Sequence, residues 1–314
     1  MLSEAAIHGL LTSQYTLGPI VACAPLATTL HRWYLIRTPH AAFVLRISPA
    51  DLATMRHDEA RLTFLHTLAG WDVPVVQPVR RRDHTYLGPL SLSAGAPVAV
   101  LYAYVPGVAP GRALTPAQSF AFGRAIAQLH QTTTAGPAGG DRPALPALDL
   151  IDQPAAVIGG WPAFHQHARL HAMTTQARRR LHDLPRVGPL FGFCHGDVHP
   201  MNIVIDGDRL TLLDFEWSGY GWRMYDVATF AWAMRGLPTE RTLHNAFVDG
   251  YQTIRPLRCQ EQATLPLFMG LRHLLLTSKS VAYTQRGIDT GRRITVDFLD
   301  QQLAQIQGWL DAAG

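Results

Sequence analysis

Three side chains in the middle of the sequence have the types and the spacing that phosphoryl transfer needs. Asp197 and Asn202 lie in the run His195-Gly196-Asp197-Val198-His199-Pro200-Met201-Asn202, and Asp214 begins the run Asp214-Phe215-Glu216. Carboxylate and amide oxygens are the hard ligands that Mg²⁺ prefers. In phosphoryl-transfer sites with this spacing, the first Asp accepts a hydroxyl proton, and the Asn and the later Asp hold the metal.

The segment between these residues predicts a β-hairpin that would bring two of them together. Two short apolar runs flank Asp206-Gly207, a dipeptide that favours a tight hairpin turn. Because a hairpin returns the chain to its starting point, Asn202 and Asp214 are expected at its open end, with Asp197 on the loop just before it. His-Gly-Asp alone is a common loop tripeptide, and an Asp near a strand end is often a cap. The combined spacing favours the metal-binding interpretation.

Length, charge and cysteine content exclude several other classes of protein. The chain has 314 residues and a formal net charge of +4, and Lys279 is its only lysine. It has no apolar run of about 18 residues and no signal-peptide pattern, so we expect no membrane association. Three scattered cysteines have no metal-ligand spacing and are typical of the cytoplasm, which is the predicted location. The absence of a dense basic run with interleaved aromatic residues argues against nucleic-acid binding.

The first hundred residues predict strands and one helix that could place a cation near a carboxylate. Residues 41–47 alternate as a strand, with Phe43 facing one way and Arg46 the other. A helix is expected from Asp51 to about Ala69, and Glu59 falls inside its apolar stripe. A carboxylate in such a stripe needs a partner, and Arg46 is the candidate. The alternative is an exposed Arg46 and a solvated Glu59.

The pattern changes from strand to helix along the chain. Residues 73–79 and 97–102 predict further strands, Pro106-Gly107 marks a boundary, and helices dominate afterwards. This organisation predicts an α+β fold. It has a small, mostly β N-terminal lobe (residues 1–101), a connection (102–107), and a larger, mostly helical lobe (108–314) that carries the hairpin. Asp226 opens one of the later helices, where an N-cap is the simplest interpretation.

These residues resemble the aminoglycoside phosphotransferase family, which includes choline kinases and homoserine-kinase-like enzymes. The resemblance follows the chain in order, and its most specific parts are the loop from His195 to Asn202 and the Asp214-Phe215-Glu216 step. Weaker matches are Phe43-Val44-Leu45-Arg46, Glu59, Val73-Pro74-Val75, Tyr104-Val105-Pro106-Gly107, Leu129-His130 and Tyr225-Asp226. The resemblance implies a bilobal, protein-kinase-like fold that binds ATP between its lobes, with the adenine near Tyr102 and Tyr104.

The resemblance also implies roles for single residues. Asp197 corresponds to the catalytic base, Asn202 and Asp214 to the Mg²⁺ ligands, and His199 to a residue that leans towards the γ-phosphate. Arg46 stands where the family has a phosphate-contacting lysine, with Glu59 as its helix partner, and Asp226 would brace the catalytic loop. A second departure from the family is the stretch 25–32, which lacks the glycine that relatives often carry over the phosphates.

The sequence thus predicts an ATP- and Mg²⁺-dependent phosphotransferase that acts on a hydroxyl group of a small molecule. The segment 151–190 and the C-terminal residues have a slight excess of arginine, which favours a neutral or anionic metabolite over a polycationic aminoglycoside. Two alternatives remain open. One is a nucleotide-binding pseudokinase, suggested by Arg46 and the glycine-free stretch. The other is a kinase for protein Ser/Thr hydroxyls, although no Ala-Pro-Glu follows Asp214.

Overall fold

The computed structural model describes residues 4–28, 31–49, 52–90, 96–135, 147–289, 291 and 293–313. These residues form two compact units. Unit 1 contains residues 4–110 of the described chain together with Met201–Glu216, and unit 2 contains the remainder. The predicted lobe boundaries at 101 and 108 stay predictions.

Unit 1 is built on an antiparallel sheet of five strands in the order β1-β2-β3-β5-β4. The predicted strands around Arg46 and around Val100 are confirmed as β3 and β5, and these two strands pair directly, with Arg46 opposite Val100. Leu45 and Leu101 are fully buried on one face of this pair. The strands of the sheet are β1 (Ala22–Thr28), β2 (Arg32–Arg37), β3 (Ala42–Ser48), β4 (Leu87–Pro89) and β5 (Val98–Ala103).

Two helices pack in unit 1, one more than the sequence predicted. Helix α1 (Glu4–Gln14) was missed; its Ile7, Leu10 and Leu11 are buried in the same cluster as the apolar face of β2, β3 and β5. Helix α2 (Leu52–Gly70) agrees with the predicted helix, and Asp51, its expected cap, lies outside the described residues.

The prediction of a strand at 73–79 is wrong. This segment makes only isolated bridges, from Val75 to Leu212 and from Pro78 to Tyr102. Proline has no N–H to donate to a ladder, and Pro74 and Pro78 interrupt the run at both ends.

The predicted hairpin is confirmed as β7 (Ile203–Asp206) and β8 (Arg209–Leu212), with Gly207 in the turn at φ 57°. Backbone hydrogen bonds hold it within unit 1: Val76 N donates to Leu212 O, Leu212 N donates to Pro74 O, and Val108 and Ile205 exchange both backbone hydrogen bonds. Gly107 has φ 117° and lies so close to the Ile205 carbonyl that a Cβ would overlap it. The Pro106-Gly107 boundary therefore allows a close approach between backbones.

Unit 2 is mostly helical, as predicted. Helix α3 packs on α7, α9 packs on α4, α6 and α10, and a short two-stranded sheet joins β6 to β9. None of the described helices has an apolar stretch long enough to cross a membrane. The elements of unit 2 are α3 (Pro116–Ala135), α4 (Asp152–Gly159), α5 (His167–Asp183), β6 (Phe191–Cys194), β9 (Gly219–Trp222), α6 (Met224–Met234), α7 (Glu240–Gln252), α8 (Cys259–Gln262), α9 (Leu265–Gln285) and α10 (Val296–Ala312).

Candidate active site

The loop that carries Asp197 begins at the end of β6 and is held by one buried carboxylate. Asp226, in the first turn of α6, accepts hydrogen bonds from His195 N at 2.7 Å and from Gly196 N at 2.8 Å. No cap bond is made by the residue that precedes α6, and the Asp226 carboxylate is directed to the loop. The N-cap interpretation of Asp226 is therefore wrong, and the bracing role implied by the resemblance agrees with these bonds.

A chain of buried polar groups stands behind Asp226. His130 Nε2 lies 2.9 Å from Asp226 Oδ2, His130 Nδ1 lies 2.7 Å from Tyr251 Oη, and Arg255 donates to the same hydroxyl at 3.1 Å. A neutral imidazole satisfies both contacts when Nε2–H donates to Asp226 and Nδ1 accepts from Tyr251. Burial lowers the pKa of His130 to about 4, which keeps it neutral at physiological pH.

Gly196 fixes the shape of the loop. Its φ is 82°, and a Cβ at this position would overlap the Trp217 carbonyl. Only glycine adopts this backbone conformation and this close approach without strain. The Gly in the sequence motif therefore serves the position of Asp197, which follows it directly.

Asp197 lies in unit 2 between two nitrogen-bearing side chains, Arg272 and His199. Arg272, on α9, forms an ion pair and hydrogen bond with its Oδ1, and His199 Nε2 lies 3.3 Å from its Oδ2. Burial by itself would raise the pKa of Asp197, but the charge of Arg272 and the hydrogen bond of His199 hold it well below its usual range. Asp197 is thus ionised at neutral pH and can accept a hydrogen bond.

Sequence reasoning missed Arg272. Its side chain is 4% exposed, and its guanidinium lies 5.1 Å from the centroid of the Trp217 ring. It stands 75 residues after Asp197 in the sequence. The one available signal was an arginine inside an apolar stretch, Leu271-Arg272-His273-Leu274, because a buried cation needs a charged partner.

A cavity of about 140 Å³ lies in unit 2 beside the catalytic loop. Gly196, the residue before Asp197, is part of its wall. The wall combines apolar side chains and aromatic rings with a few charged and polar groups: Leu148, Asp149, Leu150, Gln153, Trp217, Tyr225, Leu275 and Lys279.

In unit 1 the open end of the hairpin brings Asn202 next to the segment of Asp214. Leu213 N donates to Asn202 O at 2.8 Å. Asp214 directly follows Leu213, so this hydrogen bond brings the backbones of the two candidate metal ligands close together. Asp214 has φ 52°, an unusual conformation for a residue other than glycine, and its Oδ1 accepts from Glu216 N at 3.3 Å. Such strain is concentrated at functional sites. A buried amide oxygen and an exposed carboxylate fit the hard donor set of Mg²⁺.

Arg46 is buried in unit 1, with 7% of its side chain exposed, so the alternative of an exposed strand arginine is wrong. Its Nη1 forms an ion pair with Glu216, and its guanidinium lies 6.0 Å from the Tyr102 ring centroid. In the described part of the chain, Arg46 Nε is buried without a hydrogen-bond partner. A buried donor of this kind fits an anionic oxygen such as a phosphate.

Glu216 shares its carboxylate between Arg46 and His31. Its Oε1 pairs with Arg46 and also lies 3.1 Å from His31 Nε2. Burial alone would raise the pKa of Glu216, but the hydrogen bond of His31 and the charge of Arg46 lower it to about 2. Glu216 belongs to the Asp214-Phe215-Glu216 motif but had no predicted role. It is the carboxylate that Arg46 contacts.

The predicted ion pair between Arg46 and Glu59 is wrong. Glu59 accepts backbone hydrogen bonds from Tyr86 N at 3.0 Å and from Leu87 N at 2.8 Å, which ties α2 to the start of β4. Burial alone would lower the pKa of Arg46, but interactions with Tyr102, Glu216 and Asp214 raise it; Asp58, one residue before Glu59, contributes less and forms its own ion pair with Arg61.

The two tyrosines predicted near the adenine differ in environment. Tyr102, at the end of β5, is half-buried, and burial raises its pKa to about 12. Tyr104 is 41% exposed just after the strand, and its N–H donates to Ala42 O. Of the glycine-free stretch, residues 25–28 belong to β1 and Arg32 begins β2, and Thr29 and Leu30 lie outside the described residues.

Residues 24–261 match the model of a protein family described as the phosphotransferase enzyme family. An uncharacterized protein from Synechocystis sp. is 30% identical over 84% of this chain and 74% of its own length. A homoserine kinase from Azorhizobium caulinodans is 30% identical over 84% of this chain and 81% of its own length.

Among solved structures, amicoumacin kinase in complex with AMP-PNP and Ca²⁺ has the same fold. The two chains superpose with a TM-score of 0.81 at 18% identity, over 99% of this chain and 94% of the other. The predicted α+β, protein-kinase-like fold is confirmed by this likeness.

Proposed function

The chain belongs to the phosphotransferase enzyme family, and from that premise we propose that it transfers the γ-phosphoryl group of ATP to a hydroxyl group of a small molecule, with Mg²⁺. The observation that carries this proposal is Asp197. Its ionised carboxylate is held by Arg272 and His199, and the residue before it lines a cavity.

Asp197 has the environment of a group that orients a hydroxyl and accepts its proton during transfer. The low pKa makes it a weak base towards a free alcohol. In phosphoryl transfer the proton becomes acidic only as the phosphate bond forms, and catalysis comes mainly from positioning and electrostatics. Arg272 acts as a positioning residue, because it fixes the carboxylate through one oxygen and leaves the other to His199.

The nucleotide side of the proposal uses residues of unit 1. Asn202 and Asp214 would hold Mg²⁺, Arg46 would bind a phosphate oxygen, and Tyr102 and Tyr104 would lie near the adenine. When bound, the metal neutralises phosphate charge. Arg46 contributes a donor fork that stays charged at every physiological pH, and its unused buried Nε is available to an anion. Glu59 supports this side only indirectly, through α2 and β4.

The size of the cavity supports a small acceptor. A cavity of about 150 Å³ holds a molecule of the size of benzene, so a cavity of about 140 Å³ suits an acceptor of similar size. This favours a small metabolite over an aminoglycoside. The homoserine kinase relative acts on an acceptor of this size class.

The test is ADP formation from ATP and Mg²⁺ with a panel of acceptors: homoserine, small alcohols, sugars, aminoglycosides and a serine peptide. With the best acceptor, Asp197→Asn should lower the transfer rate by about 10²–10⁴-fold, the usual effect of removing a positioned base. Nucleotide binding, measured by calorimetry, should change little, because the proposed nucleotide residues belong to unit 1. Asp183→Asn, at an exposed position of unit 2, is the matched control.

Because Asp197→Asn leaves the buried Arg272 without its carboxylate, the single variant could unfold. The double variant Asp197→Asn/Arg272→Met removes both charges and keeps the test valid. If the wild type binds nucleotide but forms no more ADP than Asp197→Asn with any of the acceptors, the pseudokinase alternative is supported and the proposal is overturned. Transfer to the serine peptide alone would support a protein kinase.

A further inference from the structure

Helix α9 presents two cations to Trp217, seven residues apart. The Arg272 guanidinium lies 5.1 Å and the Lys279 ammonium 5.2 Å from the centroid of that ring. Two helical turns separate them, so they share one face of the helix. Their surroundings differ: Arg272 is buried and paired with Asp197, whereas Lys279 is half-buried and lines the cavity.

Lys279 is the only lysine among the 27 basic residues of the sequence. A lysine ammonium is a compact point charge on a flexible stem, whereas arginine is a rigid planar fork. A single ammonium is suited to one small anionic group inside a confined space. Its three donors also allow it to keep a contact within the protein and still bind a ligand.

The other charged residue of the cavity wall, Asp149, is committed to the protein. Its Oδ1 accepts from Ile151 N at 3.2 Å and from Asp152 N at 2.8 Å, and its Oδ2 accepts from Gln153 N at 3.1 Å. These amides belong to the N-terminal end of α4, whose dipole offsets a negative charge. The wall thus carries one negative and one positive charge, and of the two only Lys279 has N–H donors that can bind an anionic group.

The rest of the wall favours hydrocarbon. Leu148, Leu150 and Leu275 contribute apolar side chains, and Trp217 and Tyr225 contribute aromatic rings. A molecule that fits must combine a short apolar body with a hydroxyl for Asp197 and a group that complements Lys279.

We infer that the acceptor is a small hydroxy acid, whose carboxylate binds Lys279 while its alkyl chain lies against Trp217 and the leucines. This inference rests on the proposed function, and it names the substrate class of the same site. A carboxylate forms charge-assisted hydrogen bonds with an ammonium, and one lysine matches its single charge.

The test measures binding by calorimetry, without nucleotide, for three probes that carry a terminal hydroxyl on the same four-carbon chain and differ in the group at the other end: 4-hydroxybutyrate, 1,4-butanediol and 4-amino-1-butanol. The wild type should bind 4-hydroxybutyrate about 10- to 100-fold more tightly than the diol, the range expected for a hydrogen bond to a charged group. Lys279→Met should abolish this difference. Lys279→Glu should reverse the order in favour of the amino alcohol.

Arg241→Met is the matched control, because it removes one positive charge from an exposed position of unit 2 on α7. It should leave the preference unchanged. Equal affinity for the three probes, no binding of 4-hydroxybutyrate, or a preference that survives Lys279→Met would each overturn the inference.

A parallel assay of ADP formation separates this inference from the proposed function. Carboxylate binding that depends on Lys279, without any phosphoryl transfer, would overturn the proposed function and leave the binding site in place. Transfer to all three probes at similar kcat/KM, without preference, would overturn the inference alone.

Discussion

The two regions that carry the candidate residues are stabilised in different ways. In unit 2 the loop before Asp197 is fixed by a buried chain of hydrogen bonds, from Arg255 through Tyr251 and His130 to Asp226. In unit 1 the polar groups around Arg46 form a partly exposed cluster, in which Glu216 contacts both Arg46 and His31 and its side chain is 32% exposed.

This difference suggests a division between a preorganised region and an adjustable one. The Asp226 network fixes backbone atoms, so the position of Asp197 is set by folding itself. Groups held in this way need no reorganisation during a reaction, which is the condition for electrostatic catalysis. The Arg46 cluster has a spare donor in Nε and a carboxylate near water, so its pairs can be exchanged for those with an anionic ligand.

The largest expected effect follows from removing the centre of the unit 2 network. Asp226→Ala would leave three buried donors, His195 N, Gly196 N and His130 Nε2, without their acceptor. We expect the free energy of unfolding to fall by about 3–5 kcal/mol. Urea unfolding measures it. Asp226→Asn, which keeps one acceptor oxygen, should lose less, and Asp183→Asn should stay within about 0.5 kcal/mol of the wild type. A small loss for Asp226→Ala would contradict the network.

The second expected effect is a dependence of stability on pH that originates at His130. Burial lowers its pKa in the folded state to about 4, against an ordinary value of 6.5. Between these values the unfolded chain binds a proton that the folded chain does not, so stability falls as pH decreases from 6.5 to 4. The loss from this residue reaches about 3 kcal/mol. Urea unfolding at several pH values should show a flatter dependence for His130→Gln, and no change for the exposed His182→Gln.

The same comparison shows what the sequence could predict. The hairpin, β3, β5 and α2 followed from local patterns, and so did the placement of Asn202 near Asp214. The Asp226 network could not be predicted in full, because His130, Asp226, Tyr251 and Arg255 lie far apart in the sequence and meet only through the packing of α3, α6 and α7. Arg272 was missed for the same reason.

The predicted ion pair between Arg46 and Glu59 was wrong for a different reason. The partner of Arg46 is Glu216, 170 residues later in the sequence, and helix periodicity carries no information about so distant a contact. Backbone amides of β4 compete for Glu59, and the sequence gives no sign that they are near. Helix α1 was missed because its apolar residues are few and are interrupted by polar ones.

The smallest expected effect concerns the Arg46 cluster and completes the comparison. Arg46→Met and Glu216→Gln, combined in a double-mutant cycle on the free energy of unfolding, should show a coupling of about 0.5–1 kcal/mol, because the pair is partly exposed to water. Arg46→Met with Glu59→Gln, the matched control, should be additive, since Glu59 bonds to the backbone of β4. The Glu216 pKa of about 2 lies below its ordinary value of 4.5, so the coupling is complete above pH 4.5 and lost as the pH falls towards 2. Coupling to Glu59 instead of Glu216, or coupling that does not weaken in acid, would show that the cation is paired differently from the structure.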